Sequence, residues 1–179
     1  MTTATSTATT VAATATATAS HLAGFARSLS LAGGVGAALS AGVFFAFSTF
    51  VMRALGRLPG RQGLTAMQAI NEAAPNGWLM GLLFGTAALC VASIASTLGH
   101  LGETGAGARL AGAALFLVAI ALTAGYHVPH NDALARLDPD APASLAAWAR
   151  YLRDWTTWNH LRTGASAAGA IALLLGSRR

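Results

Sequence analysis

Long apolar runs separated by short polar segments recur along the chain. Three of them are about 20 residues long, the length that an α-helix needs to cross the core of a bilayer. The last run, Leu161 to Gly176, is too short alone, so the fourth predicted helix begins upstream of it. The pattern predicts an all-α fold, an integral membrane four-helix bundle over residues 28–179. Its predicted spans are 28–51, 78–98, 109–127 and 155–176.

Two shorter segments have apolar residues on one side only, which is typical of helices that lie at a membrane interface. Residues 64–74 follow the first span, and residues 145–154 lead into the fourth. Pro129 disfavours helix at the residue before it, so we expect the third span to end there. Segments after the first and third spans must lie on the same side of the membrane, which places both interfacial helices on one side.

Residues 1–27 have a different composition. Threonine, alanine and serine make up almost all of the first 20 residues, with neither an apolar core nor a positive start. This is not the pattern of a signal peptide. We predict a disordered tail.

Composition supports the membrane assignment. Only 9% of the residues are charged and 54% are hydrophobic, whereas soluble domains have roughly 25% charged residues. The net charge of +5 comes from arginines spread along the chain, without the basic and aromatic runs that favour nucleic-acid binding. More arginines lie on the side of the interfacial helices, which favours a cytoplasmic location for that side of a multi-pass protein of the cell membrane. Cys90, the single cysteine, excludes an intramolecular disulfide.

Small residues at helical spacing predict close helix contacts. Gly33, Ala37 and Ala41 form such a face in the first span, and Gly164, Ala168 and Ala172 would continue the face of Trp155, Asn159 and Arg162 in the fourth. These Gly/Ala faces could pack within the chain or support a homo-oligomer.

Polar side chains gather on the side of the interfacial helices, which indicates a pocket that opens there. The simpler alternative is that two longer loops contain more polar residues. Arg162 lies near the start of an apolar helix, where it either snorkels to lipid phosphate or donates to an oxyanion of a ligand. Asn159 and Asn131 are the predicted companions in stabilising an anion.

Histidines offer two kinds of chemistry on this side. His127 or His160 is the predicted general base, since a neutral imidazole suits that role near pH 7. Alternatively, His127, His130 and His160 could bind copper, iron or zinc, although their spacing matches no metal motif. Tyr126, Trp155 and Trp158 would supply walls for a planar ligand, or else form an aromatic belt at the interface.

Several motifs together resemble the anthrone oxygenase-like family of small membrane proteins, over about residues 40–176. They are Phe44 to Met52 with Leu58-Pro59, Gly63 with Ala66 to Asn71, His127-Val128-Pro129 with Asn131 to Leu134, and Trp155-Thr156 with Trp158 to His160 and Arg162-Thr163. The family usually has a proline where this chain has Arg53, and often an asparagine where it has His127.

The resemblance implies oxidation of an anthrone to an anthraquinone with O2 as co-substrate and no organic cofactor. We therefore predict an oxidoreductase that acts on a planar phenolic substrate in the membrane. Further predicted substrate contacts are Phe47, Ser48, Met52, Gln68 and Asn71. Two alternatives remain: a histidine-ligated metal oxidase, and a non-catalytic protein that binds lipid or quinone or serves as an accessory subunit.

Overall fold

A computed structural model describes the backbone of residues 3–178 and the side chains of Thr14 and residues 20–178. Helices and short turns account for all of the described residues, so the predicted all-α class is confirmed. The elements, with π1 and π2 naming two π-helical segments, are α1 Thr3–Ala46, π1 Phe47–Val51, α2 Met52–Leu55, α3 Gly60–Ala73, α4 Gly77–Leu98, α5 Ala106–Leu122, π2 Thr123–His127, α6 Val128–Ala135 and α7 Pro142–Gly176.

Three helical stretches of the described chain are long and apolar enough to cross a membrane. They are Ser20–Leu55, Gly77–Leu98 and Ala106–Ala135, which contain the predicted spans 28–51, 78–98 and 109–127. The protein is therefore membrane-integral by the length and composition of its helices. The predicted span 155–176 is not among the three. It is part of α7, which also contains the predicted interfacial segment 145–154 in one uninterrupted helix.

Helix α1 begins at Thr3, where the sequence predicts a disordered tail over 1–27. Met1 and Thr2 lie outside the described residues. Alanine has the highest intrinsic helix propensity, and the segment continues directly from a packed helix in which Ala26 is fully buried. A helix that is already nucleated extends by one hydrogen bond per added residue, which explains the difference.

The predicted boundary at Pro129 is also wrong, because the helix continues through it to Ala135. Val128 keeps helical dihedral angles, with φ of −59° and ψ of −53°. Segment π2 immediately precedes this point. A π-helical turn already shifts the hydrogen-bond ladder, so the missing N–H of proline is accommodated without a break.

Helix α7 packs along α1 and α5, while α4 contacts the same two helices from the other side. The contact between α5 and α7 is close: a Cβ added at Gly112 would lie 2.8 Å from the Gly169 carbonyl oxygen. Small residues let helices in membranes approach in this way. Gly33, Ala37 and Ala41 are likewise buried within the chain.

The buried face of α7 differs from the predicted one beyond Arg162. It passes through Ser166, Gly169, Leu173 and Gly176, whereas Gly164 and Ala168 are exposed and Ala172 is half-buried. Steps of four and three residues repeat along this face, as in helices that pack nearly parallel to their neighbours. The predicted extension begins at Gly164, two residues and about 200° around the helix from Arg162, so it lies on the opposite side from that contact.

An apolar cluster lies at the end of the molecule that contains α3. Leu64 and Met67 of α3 are fully buried there against Trp148, Tyr151 and Trp155 of α7. The predicted interfacial helix 64–74 corresponds to α3, and its apolar side packs on this cluster. This packing covers the membrane helices on that side.

Candidate functional site

An internal cavity of about 140 Å³ lies beneath α3, where α1, α4, π2 and α7 come together. Most of its wall is apolar, and its polar groups come from α3, π2, α6 and α7. The wall consists of Val43, Phe44, Phe47, Met67, Ile70, Asn71, Ala74, Pro75, Leu79, Met80, Leu83, Thr123, His127, Val128, Asn131, Trp155 and Arg162. An apolar slot with a few polar groups is the usual form of a small-molecule site.

Arg162 is held in the wall by its neighbours on α7 and π2. Its Nε and Nη2 donate to Asn159 Oδ1 at 3.1 and 2.6 Å, and its Nη1 donates to Thr123 Oγ1 at 3.2 Å. A guanidinium has five N–H groups, so these three bonds leave two N–H groups available to a ligand. The side chain is only 6% exposed.

Asn159 connects Arg162 to α1. Its Nδ2 donates to the Phe44 carbonyl and to Ser48 Oγ, each at 2.8 Å, so both ends of the amide are used. Phe44 and Ser48 flank the start of π1, where the π-helical turn disturbs the ordinary backbone pairing. The amide thus links the irregular part of α1 to the guanidinium of α7.

No carboxylate neutralises Arg162 among the described residues, whose ion pairs are Arg61–Asp140, Arg109–Glu103 and Arg153–Asp154. Aromatic rings contact it instead: its Cζ lies 4.0 Å from the Phe44 ring centre and 5.4 Å from that of Trp155. A buried cation without a counter-ion is costly in a membrane protein. An anionic ligand in the cavity would relieve that cost.

His127 ends π2 and is 1% exposed. Its Nδ1 lies 3.1 Å from the Leu122 carbonyl oxygen, which can only accept, so Nδ1 holds the ring proton. Nε2 is then the acceptor of the neutral ring, and it is buried without a hydrogen-bond partner in the described part of the chain. The Trp155 ring meets the imidazole edge to face at 4.9 Å and fixes its plane.

Two asparagines differ in how fully they are bonded. Asn131 Oδ1 accepts from Tyr151 Oη at 2.7 Å and from Trp155 Nε1 at 2.9 Å. Burial raises the pKa of Tyr151, which keeps that hydroxyl a donor. Asn71, by contrast, lines the cavity beside Tyr151, and its Nδ2 is buried without a hydrogen-bond partner among the described residues.

Tyr126, His130 and Trp158 form a stack outside the cavity. The Tyr126 ring lies 3.9 Å from His130 and 4.8 Å from Trp158, measured between ring centres. Trp158 is 39% exposed. The stack lies behind His127, since Tyr126 also meets that imidazole edge to face at 5.4 Å. These rings support the wall without lining it.

Four other predicted site residues also lie away from the cavity. Ser48 is in the second layer, where it bonds to Asn159 and Thr163. Met52 is buried in the cluster under α3, and the Gln68 amide donates to the carbonyls of Leu134 and Leu137. His160 is exposed and lines a shallow depression on the other side of α7.

The three histidines of the metal alternative do not converge. His127 is buried, whereas His130 and His160 are exposed, and His130 Nδ1 bonds to the Tyr126 carbonyl. No group of three or more His, Cys, Asp or Glu side chains within the described residues is placed to hold a metal ion.

The cavity also contains residues that the sequence did not single out as site residues. Thr123 is the only one that bonds to Arg162, and it lies four residues before His127 on the same helical face. That spacing could have identified it. Met67, Ile70, Leu79, Met80 and Leu83 are apolar residues in apolar helices, and nothing in their pattern distinguishes cavity from core.

The family model described as anthrone oxygenase matches residues 78–172. That range includes α5, π2, α6 and most of α7, and hence His127, Asn131, Asn159 and Arg162. No curated protein matches the chain. No solved structure matches it either.

Proposed function

The chain belongs to the anthrone oxygenase family, and on that premise we propose that it is a membrane oxidoreductase that uses O2. Its substrate is a planar phenolic carbon acid of the anthrone type, which it oxidises to a quinone. No organic cofactor takes part. The observation that supports this most is the buried Arg162, which has no carboxylate partner among the described residues and lines an apolar cavity beside His127.

His127 is the general base in this proposal. Its Nε2 takes a proton from the substrate carbon, and the negative charge that develops moves onto the substrate oxygen. Arg162 and Asn71 donate to that oxygen, because their free N–H groups already lie in the cavity wall. Donors fixed in place before the reaction stabilise an anion more than mobile water would.

The enolate then reduces O2, and the carbon gains a hydroperoxide after one proton is returned. Loss of water from that hydroperoxide leaves the new carbonyl. One CH2 group and one O2 molecule thus give one C=O group and one H2O, so the substrate supplies all four electrons. Trp155 and Phe47, whose ring centres are 5.7 Å apart, hold the planar ring and exclude water.

In this proposal α7 is the fourth span and completes a four-helix membrane bundle. Asn159, His160 and Arg162 lower its mean hydropathy, and two of these side chains belong to the internal network rather than to the lipid-facing surface. The packing of α7 along α1 and α5 over its apolar half supports this proposal. The end that contains α3 faces the cytoplasm.

The test is turnover of an anthrone by the purified protein under air. The proposal requires quinone absorbance to appear faster than with heat-treated protein, with one O2 consumed per quinone formed. Equal rates with native and heat-treated protein would reject the reaction.

A second candidate function is quinone binding without turnover. Arg162 and Asn71 offer N–H donors, which suit the carbonyl oxygens of a quinone. Of these two residues and His127, only His127 offers an acceptor, at Nε2. Saturable quinone binding together with no O2 uptake from any anthrone would favour this candidate.

A further inference from the structure

The cavity is closed toward the aqueous side of the molecule. Leu64 and Met67 of α3 are fully buried above it, against Trp148 and Trp155. Gln68 ties α3 to the end of α6 through two hydrogen bonds to the carbonyls of Leu134 and Leu137. A polar solute would have to break this packing to reach Arg162 from water.

The cavity is open beside the first turns of α4. Val43 and Val128 both line it and are also on the surface, 37% and 46% exposed. Both belong to helical stretches that are long and apolar enough to cross a membrane, so we expect lipid as the neighbour at these positions. Ala74, Pro75, Leu79 and Met80 are apolar wall residues with exposed or half-buried surface at this end of α4. Asn71, one turn before Ala74, and Asn131, one turn after Val128, are half-buried and polar.

The small volume of the cavity indicates that the substrate occupies the opening as well. A closed apolar cavity of about 150 Å³ in another protein holds a single benzene ring, and this one measures about 140 Å³. A substrate of three fused rings is therefore larger than the cavity, and the rings that do not fit lie in the opening. An apolar rim suits those rings, because they would lie against acyl chains and apolar side chains alike.

We propose that the gap lined by Val43, Val128 and the start of α4 is a lateral portal through which the substrate enters from the bilayer, with the oxygen that becomes anionic entering first. This inference rests on the proposed function, which supplies the planar ring. The uncompensated guanidinium of Arg162 draws the oxygen inward, and the apolar rim admits the ring without desolvating a polar group.

The experiment measures how fast a membrane-dissolved anthraquinone, the product, binds to protein reconstituted in phosphatidylcholine vesicles. Quenching of tryptophan fluorescence reports binding in protein whose exposed Trp78 and Trp158 are replaced by phenylalanine, since Trp155 lies in the cavity wall. Val43→Phe and Val128→Phe narrow the portal. Val35→Phe and Val118→Phe are the controls, because Val35 and Val118 are 49% and 50% exposed on α1 and α5 and do not line the cavity.

We expect the portal variants to slow both association and dissociation about tenfold, within the range over which association rates vary among mutants. The controls keep the wild-type rates. Wild-type rates in the portal variants would overturn the portal and leave the proposed function standing. Absence of quenching in the wild-type protein would instead overturn the proposed function, and the portal with it.

Discussion

Arg162 donates two hydrogen bonds to a single acceptor, the Oδ1 of Asn159, which lies one helical turn earlier on α7. The amide of Asn159 is held in turn by its donations to α1. The guanidinium is therefore fixed in its plane by a neutral partner. Its positive charge is therefore available to a ligand. A carboxylate partner would have cancelled that charge.

Replacing Arg162 by lysine tests whether the fork of N–H groups matters beyond the charge. An ammonium cannot reach Asn159 and Thr123 together while it also donates to a ligand. We expect the quinone-forming kcat/KM of Arg162→Lys to fall about 100-fold or more, the usual effect of losing an oxyanion donor. Arg178→Lys, in an exposed residue, is the control. Wild-type activity in Arg162→Lys would exclude the proposed role.

Asn159 should be more important for stability than Asn71. Asn159→Ala removes the acceptor of two of the three Arg162 hydrogen bonds and the donor to the Phe44 carbonyl, which should lower the free energy of unfolding by about 2–3 kcal/mol. Asn71→Ala removes an Nδ2 that has no partner among the described residues and should cost much less. Thermal unfolding in one detergent compares the two. Equal losses would mean that the hydrogen bonds of Asn159 do not stabilise the helix contact.

Histidine substitutions separate the two predicted bases. His127→Asn keeps a side-chain donor for the Leu122 carbonyl and removes the basic nitrogen, so kcat should fall by about 10²–10⁴. His160→Asn is the matched control, because His160 is exposed and lies outside the cavity. A larger loss in His160→Asn than in His127→Asn would reverse the assignment.

Close packing of α5 on α7 predicts opposite effects at two glycines of α5. Gly112→Ala places a methyl group 2.7 Å from the Leu173 backbone nitrogen and should destabilise the protein by about 1–3 kcal/mol. Gly107→Ala meets nothing within 4 Å and should stabilise it by about 0.5–1 kcal/mol. Unfolding in detergent measures both. Similar shifts for the two variants would rule out the close approach.

The topology predicts where cysteines can be labelled. Cys90 is fully buried, so a membrane-impermeant maleimide should report only on added cysteines. If α7 is the fourth span, Asp138→Cys and Arg178→Cys react from opposite sides of the membrane. Asp138→Cys should react only from the cytoplasm. Labelling of both from one side would mean that α7 does not cross.

Residue patterns predicted the helices well because apolar length alone decides whether a helix can cross a membrane. Residues 78–98, for example, match α4 to within one residue. The continuation through Pro129 could not be predicted in this way, since it depends on a π-helical turn whose carbonyl at Leu122 is satisfied by the His127 side chain.

For the site, helical spacing on α7 predicted that Trp155, Asn159 and Arg162 share one face, and all three are buried. Spacing within one helix did not show that Gln68 would be used to tie α3 to α6. That outcome depends on how separate helices meet. The spacing did place His160 about 100° around the helix from Asn159, and His160 lines the depression on the other side of α7.

The central claim is that Arg162 binds the ionised oxygen of a planar ring in the cavity. The most direct test is the absorption spectrum of a bound planar phenol whose colour changes on ionisation, recorded at a pH two units below its solution pKa. We predict that the wild-type protein binds it as the phenolate and that Arg162→Gln binds it only as the neutral phenol. A neutral phenol on the wild-type protein, or a phenolate on Arg162→Gln, would contradict the claim.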